Sequence, residues 1–81
     1  REKICSFLLM LAQRQSRRGH KDNPVYVPMS RADIADYLGL TTETVSRTFT
    51  QLKTSGAISL QEGNRIQIAD MDGIYDMAEG V

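Results

Sequence analysis

At 81 residues the chain is long enough for one hydrophobic core and too short for two. Apolar residues make up 41% and charged residues 25%, which excludes a disordered tail. No apolar run approaches the roughly 18 residues a membrane span requires. Ten cations balance ten carboxylates, and this net charge of zero weighs against a strong, independent nucleic-acid binder.

The distribution of charge says more than its sum. Residues 1–21 carry Arg1, Lys3, Arg14, Arg17, Arg18 and Lys21 against Glu2, a local excess of five positive charges. Residues 70–81 carry Asp70, Asp72, Asp76 and Glu79 without a cation. Such asymmetry fits one face turned to a polyanion and another to solvent or a protein partner; scattered solvation charge is the alternative. The single cysteine, Cys5, has apolar neighbours and no internal partner for a disulfide, which suits a reduced cytosol. The basic N-terminus leads into the amphipathic ICSFLLMLAQR, which is not a signal-peptide pattern. A start at Arg1 instead of methionine is expected of a piece cut from a longer protein.

Ile4, Phe7, Leu8, Leu11 and Ala12 recur at helical spacing and predict an amphipathic first helix over residues 2 to about 17. Gly19, Asn23 and Pro24 break the pattern. Val25-Tyr26-Val27, closed by Pro28, predicts a short edge strand. Ser30 is a good N-cap, and Asp33 favours the positive end of a second helix over Arg31–Leu38 that buries Ile34, Ala35 and Leu38. Gly39 ends it in the left-handed conformation, and Leu40 and the N-cap Thr41 lead into a third helix reaching about Ser55. Ile58-Ser59-Leu60 and Ile66-Gln67-Ile68 alternate around Gly63 and Asn64, which predicts a β-hairpin with those two residues at its tip. Asp70 can cap a last short helix through Met71, Ile74, Tyr75 and Met77, against which Gly73 counts. One α+β domain covers residues 1–81: a winged helix-turn-helix with a three-helix core, a hairpin wing, a short edge strand and a C-terminal helix.

The helix-turn-helix spacing is the specific part. Ala35 is small where the helices approach, Gly39 makes the turn, and Leu40 plugs the space between them. Val45, Phe49 and Leu52 form the buried stripe of the third helix. Thr48 departs from the pattern, standing where an aliphatic residue is usual.

Glu43, Ser46, Arg47 and Thr50 fall at i, i+3, i+4 and i+7, opposite that stripe. A helix in the major groove reads bases from its N-terminal part. Arg47 can place two donors on guanine, Glu43 can accept from cytosine N4, and the Ser46 hydroxyl can serve either base edge. The carboxylate at the front of TTETVSRTF therefore need not oppose DNA binding; it can reject wrong sequences. Plainer readings stand beside each role. Glu43 can merely complement the helix dipole, Glu43 and Arg47 can form a surface ion pair, and Ser46 can be filler. Candidate phosphate or groove contacts are Arg31, Thr41, Thr42, Thr44, Thr50 and Arg65 on the wing; Lys53 reads first as a solvated charge.

An enzyme is not expected, because His20 stands alone in a polar loop and Cys5 lies among apolar residues. No glycine-rich phosphate loop or metal-ligand cluster occurs, so neither a metal nor a cofactor is expected in this domain. The rival is a winged helix used for protein–protein contact, which the neutral charge favours and the polar Glu43/Ser46/Arg47 face opposes.

From the first helix through MSRADIADYLGLTTETVSRTFTQLKTSGAI to RIQIAD, the chain resembles the C-terminal DNA-binding domain of the Crp/Fnr family of bacterial transcription regulators. Glu43-Thr44-Val45-Ser46-Arg47 looks like the Fnr and FixK-type branches. The cAMP-receptor branch carries Arg where this chain has Thr42, so its half-site preference does not transfer. The resemblance implies Glu43, Ser46 and Arg47 as base readers and a palindromic double-stranded DNA operator of the TTGAT…ATCAA type. It further implies a cytoplasmic homodimer whose sensory β-barrel and dimerisation helix lie upstream, and contact with RNA polymerase.

Overall fold

A computed structural model describes residues 1–17 and 24–80. The break at Gly19 and Asn23, His20, and the cations Arg18 and Lys21 lie outside the described residues. In chain order the elements are α1 (Glu2–Arg17), β1 (Val25–Tyr26), α2 (Arg31–Leu38), α3 (Thr42–Thr54), β2 (Ile58–Gln61), β3 (Arg65–Ile68) and α4 (Met71–Ala78). The α+β winged helix-turn-helix read from the sequence is present, with α2 and α3 as its two helices and β2–β3 as the wing.

Helix α1 supplies one wall of the core through Ile4, Cys5, Phe7, Leu8 and Leu9. Leu11 and Ala12, expected inside, are only half-buried against it. Cys5 is fully buried, and desolvation pushes its thiol pKa up, so the sulfur behaves as a small packed hydrophobe. At the other end of α1, the Gln15 amide hydrogen-bonds both backbone groups of Tyr26. Its Nε2 donates to the Tyr26 carbonyl at 2.8 Å, and the Tyr26 N–H donates to Oε1 at 2.9 Å. A side chain thereby takes the place of a neighbouring strand along the outer edge of β1.

Ser30 and Asp33 close a reciprocal capping box at the start of α2. The Asp33 N–H donates to Ser30 Oγ at 3.1 Å, and the Ser30 N–H donates to Asp33 Oδ2 at 3.4 Å. The helix stops at Gly39, whose φ of 71° is left-handed, and the Leu40 N–H returns to the Ala35 carbonyl at 2.8 Å. Ile34 and Ala35 are buried beneath the turn, while Leu38 and Leu40 are half-buried. Helix α3 then buries Val45, Thr48, Phe49 and Leu52. Thr48, at odds with the sequence pattern, is nevertheless 5% exposed and carries no unpaired buried oxygen.

The three strands are antiparallel in the order β1-β3-β2, so the edge strand pairs with the second strand of the wing. Gly63 and Asn64 turn the wing with φ of 69° and 59°. The expected alternation holds at Ile58 and fails at Leu60, which is 43% exposed on the edge strand β2 although its partner Ile66 on the central strand is buried. Helix α4 packs along α1 through Ile74, with Met77 and Ala78 half-buried. Met71 and Tyr75, in the same helix, are exposed. Gly73 supports this helix: Asp70 Oδ1 accepts the Gly73 N–H at 3.0 Å, and the carboxylate occupies the space a Cβ would take.

The turn at Gly39 separates backbone strain from packing, since nothing lies within 4 Å of a Cβ added there. Gly39→Ala is expected to cost about 1–2 kcal/mol in chemical denaturation, and Gly39→Asn to recover part of it, because asparagine tolerates the left-handed region. Equal stability of glycine and alanine would show that the turn relaxes into another conformation.

Candidate nucleic-acid interface

Burying the Val45/Thr48/Phe49/Leu52 stripe leaves Thr42, Glu43, Ser46, Arg47 and Thr50 together on the solvent side of α3, all exposed. Thr41 sits at the N-cap and uses its oxygen twice. It accepts the Thr44 N–H at 3.1 Å and donates its hydroxyl proton to Thr44 Oγ1 at 2.8 Å. The half-buried Thr44 keeps its own hydroxyl proton for a further acceptor. Of Thr41 and Thr44, Thr44 therefore keeps the freer donor, and the Thr41 hydroxyl is spent on ordering it.

Arg47 Nη2 lies 3.1 Å from Glu43 Oε1 across one helical turn. Both side chains are largely exposed, at 59% and 83%, so this pair contributes a few tenths of a kcal/mol, on the order of other surface i,i+4 pairs. The plainer reading of these residues is thus realised in the free chain. It does not exclude base reading. One guanidinium N–H is engaged while the rest of the fork is open, and the contact is weak enough for a base edge to replace.

Arg31 and Arg65 meet at a cleft of about 410 Å³ between the start of α2 and the wing, walled by Val27, Met29, Leu60 and Asn64. Each rests on an aromatic ring. The Arg31 guanidinium carbon lies 4.0 Å from the centre of Phe49, and that of Arg65 lies 5.5 Å from the centre of Tyr26. Burial lowers the pKa of Arg31, although an arginine starts high enough to stay charged. Among the described residues, Glu43–Arg47 is the only ion pair, so these two cations face the cleft without a carboxylate partner. Lys53 is exposed in the last turn of α3, where it suits the helix dipole.

Two cations of the basic N-terminal stretch, Arg1 and Lys3, are engaged away from this surface. Lys3 Nζ donates to the Leu38 carbonyl at 3.1 Å, at the end of α2, and Arg1 Nη1 lies 3.6 Å from Met77 Sδ beside α4. Among the described residues, Arg31, Arg47 and Arg65 bring positive charge to this surface. Sequence reasoning missed Phe49 and Tyr26 as seats for two of these arginines. The Phe49 contact crosses between helices, and the Tyr26 contact depends on a strand register that pairs Tyr26 with Arg65. Among the described residues no cluster of metal-ligating side chains occurs, and no helix is long and apolar enough to cross a membrane.

Comparison with known proteins agrees with this geometry. The Crp-like helix-turn-helix domain matches residues 2–77. The transcriptional activator protein FnrA of Stutzerimonas stutzeri is 43% identical over 79 residues, which cover 98% of this chain and 32% of FnrA. The nitrogen fixation regulation protein FixK of Bradyrhizobium diazoefficiens is 53% identical over 62 residues, 76% of this chain and 26% of that protein. The solved structure of FixK2 from Bradyrhizobium japonicum superposes with a TM-score of 0.77 at 37% identity, covering 93% of this chain and 36% of that one. The chain thus spans about a third or less of the length of these relatives. With the family match running from the first helix through α4, the chain belongs to the Crp-like helix-turn-helix domain family, on its Fnr- and FixK-like side.

Proposed function

We propose that the domain binds double-stranded DNA in a sequence-specific manner, with α3 in the major groove of a TTGAT-type half-site. The observation that carries this reading is the exposed polar row Glu43, Ser46, Arg47 and Thr50, held outward by the buried stripe behind it. Arg47 donates to guanine O6 and N7, Glu43 accepts from cytosine N4, and Ser46 serves a base edge. Thr42, Thr44 and Thr50 on α3, Thr41 at its cap, and Arg31 and Arg65 at the cleft set the register through phosphate and groove contacts. The amides at the starts of α2 and α3 add to the same anion-attracting surface.

A protein-docking role for this face has less support. The large exposed hydrophobic side chains are Tyr26, Tyr37, Leu60, Met71 and Tyr75, and none lies on α3. A protein-binding helix would present such anchors there. The relatives are named as transcriptional activators and regulators. By that likeness the longer protein would be a cytoplasmic homodimer on a palindromic operator, with an upstream sensory region, working as an activator through RNA polymerase. No cofactor is needed in this domain, and its role is binding, not catalysis.

Arg47→Ala is expected to lower affinity for the cognate half-site by about 1–3 kcal/mol, relax preference at one G·C pair, and scarcely affect random DNA. An equal loss on both DNAs would make Arg47 a phosphate contact. Glu43→Ala should broaden the sites recovered from a randomised duplex pool and leave non-specific affinity unchanged or higher. Narrower selectivity with weaker non-specific binding would contradict its role in rejecting wrong sequences. The 81-residue chain, neutral overall, is expected to bind weakly alone. Tight binding by a demonstrated monomer at physiological salt, measured by fluorescence anisotropy, would overturn that.

A further inference from the structure

The wing carries an arrangement that neither core packing nor base reading requires. Tyr26 lies on a strand of two residues and is 44% exposed, so its ring contributes little to the core. Its backbone is nevertheless held from both sides. Antiparallel pairing with Arg65 fixes one edge, and the Gln15 amide satisfies the other with two hydrogen bonds. The next residue, Val27, donates its N–H to the Asn64 carbonyl at 2.8 Å, tying the strand to the wing tip. The ring so fixed lies under the Arg65 guanidinium. From the other side, Arg65 Nη1 lies 2.8 Å from where a Cβ on Gly63 would stand, so glycine at the tip leaves room for the same group.

We propose that Tyr26 is a positioning residue for Arg65, holding the wing guanidinium in the orientation that meets a DNA phosphate. The proposal rests on reading Arg65 as a phosphate contact. An arginine at a hairpin tip would otherwise spread over many rotamers, and ordering it on contact with DNA would subtract from binding. The attraction between ring and cation uses none of the guanidinium N–H groups as hydrogen-bond donors to the ring, so they remain available to phosphate oxygens.

The test uses fluorescence anisotropy on random-sequence duplex at several salt concentrations, with thermal melting to confirm that each variant is folded. Arg65→Ala is expected to weaken binding and to reduce the slope of log affinity against log salt by about one. Tyr26→Leu is expected to weaken binding about two- to fivefold, the size of an exposed cation–π contact. Tyr26→Phe, which keeps the ring, should bind like the parent. Combined with Arg65→Ala, Tyr26→Leu should cause no further loss. The same loss from Tyr26→Leu in both backgrounds, or no loss in either, would overturn the positioning role while leaving Arg65 as a phosphate contact. Tyr26→Phe as weak as Tyr26→Leu would overturn it too, by making the hydroxyl a direct contact. An Arg65→Ala variant with parental affinity and salt slope would remove the phosphate contact itself, and the proposal with it.

Discussion

The packing of one side of α3 into the core is the constraint on which the rest of the domain depends. Val45, Thr48, Phe49 and Leu52 repeat every three or four residues, and burying them fixes the rotation of the helix about its axis. That rotation alone decides that Glu43, Ser46, Arg47 and Thr50 point outward. The two caps then set where the helix begins. The left-handed Gly39 turns the chain, and Thr41 accepts the Thr44 N–H, so the exposed row starts within the first turn, where a helix entering a groove makes contact. Phe49 links this core to the surface, because the ring that fills the interior also supports Arg31 at the edge of the wing cleft.

A neutral chain binds a polyanion through local arrangement instead of net attraction. The two arginines at the cleft rest on aromatic rings, and among the described residues neither is in an ion pair, so on the proposed reading none must be broken before they meet phosphate. Arg47 is the contrast: it is paired with Glu43, and on the proposed reading the weakness of an exposed pair keeps its exchange for a base edge inexpensive. That reading makes generic attraction modest and puts discrimination on α3. The acidic α4 packs along α1.

Where the signal was local, the sequence was an adequate guide. The helix bounds at Arg31–Leu38, the turn at Gly39, the caps at Ser30, Thr41 and Asp70 and the tip at Gly63–Asn64 all follow from nearest-neighbour chemistry, and the structure has them. The row on α3 follows from helical period in the same way. What the sequence hid depends on contacts between distant segments. Leu60 and Tyr75 satisfy their local patterns yet stand exposed, because neither the order of strands that puts β2 at the sheet edge nor the docking of α4 is encoded in the period. The Gln15 clamp on Tyr26 and the two arginine–aromatic contacts join residues whose proximity arises only from tertiary register. Charge counting could not place individual cations for the same reason: Arg1 reaches Met77 of α4 and Lys3 the end of α2.

The central claim is that DNA is met by the outward side of α3, flanked by the start of α2 and the wing tip. Amide chemical-shift mapping of the 9.1 kDa chain during titration with duplex DNA tests this directly, because it tolerates weak binding. Perturbations should concentrate at residues 41–50, at Ser30 and Arg31, and at Asn64 and Arg65, with α4 unmoved. Perturbations centred on α4, or on the Phe7–Tyr37 side of the domain with α3 silent, would contradict the account.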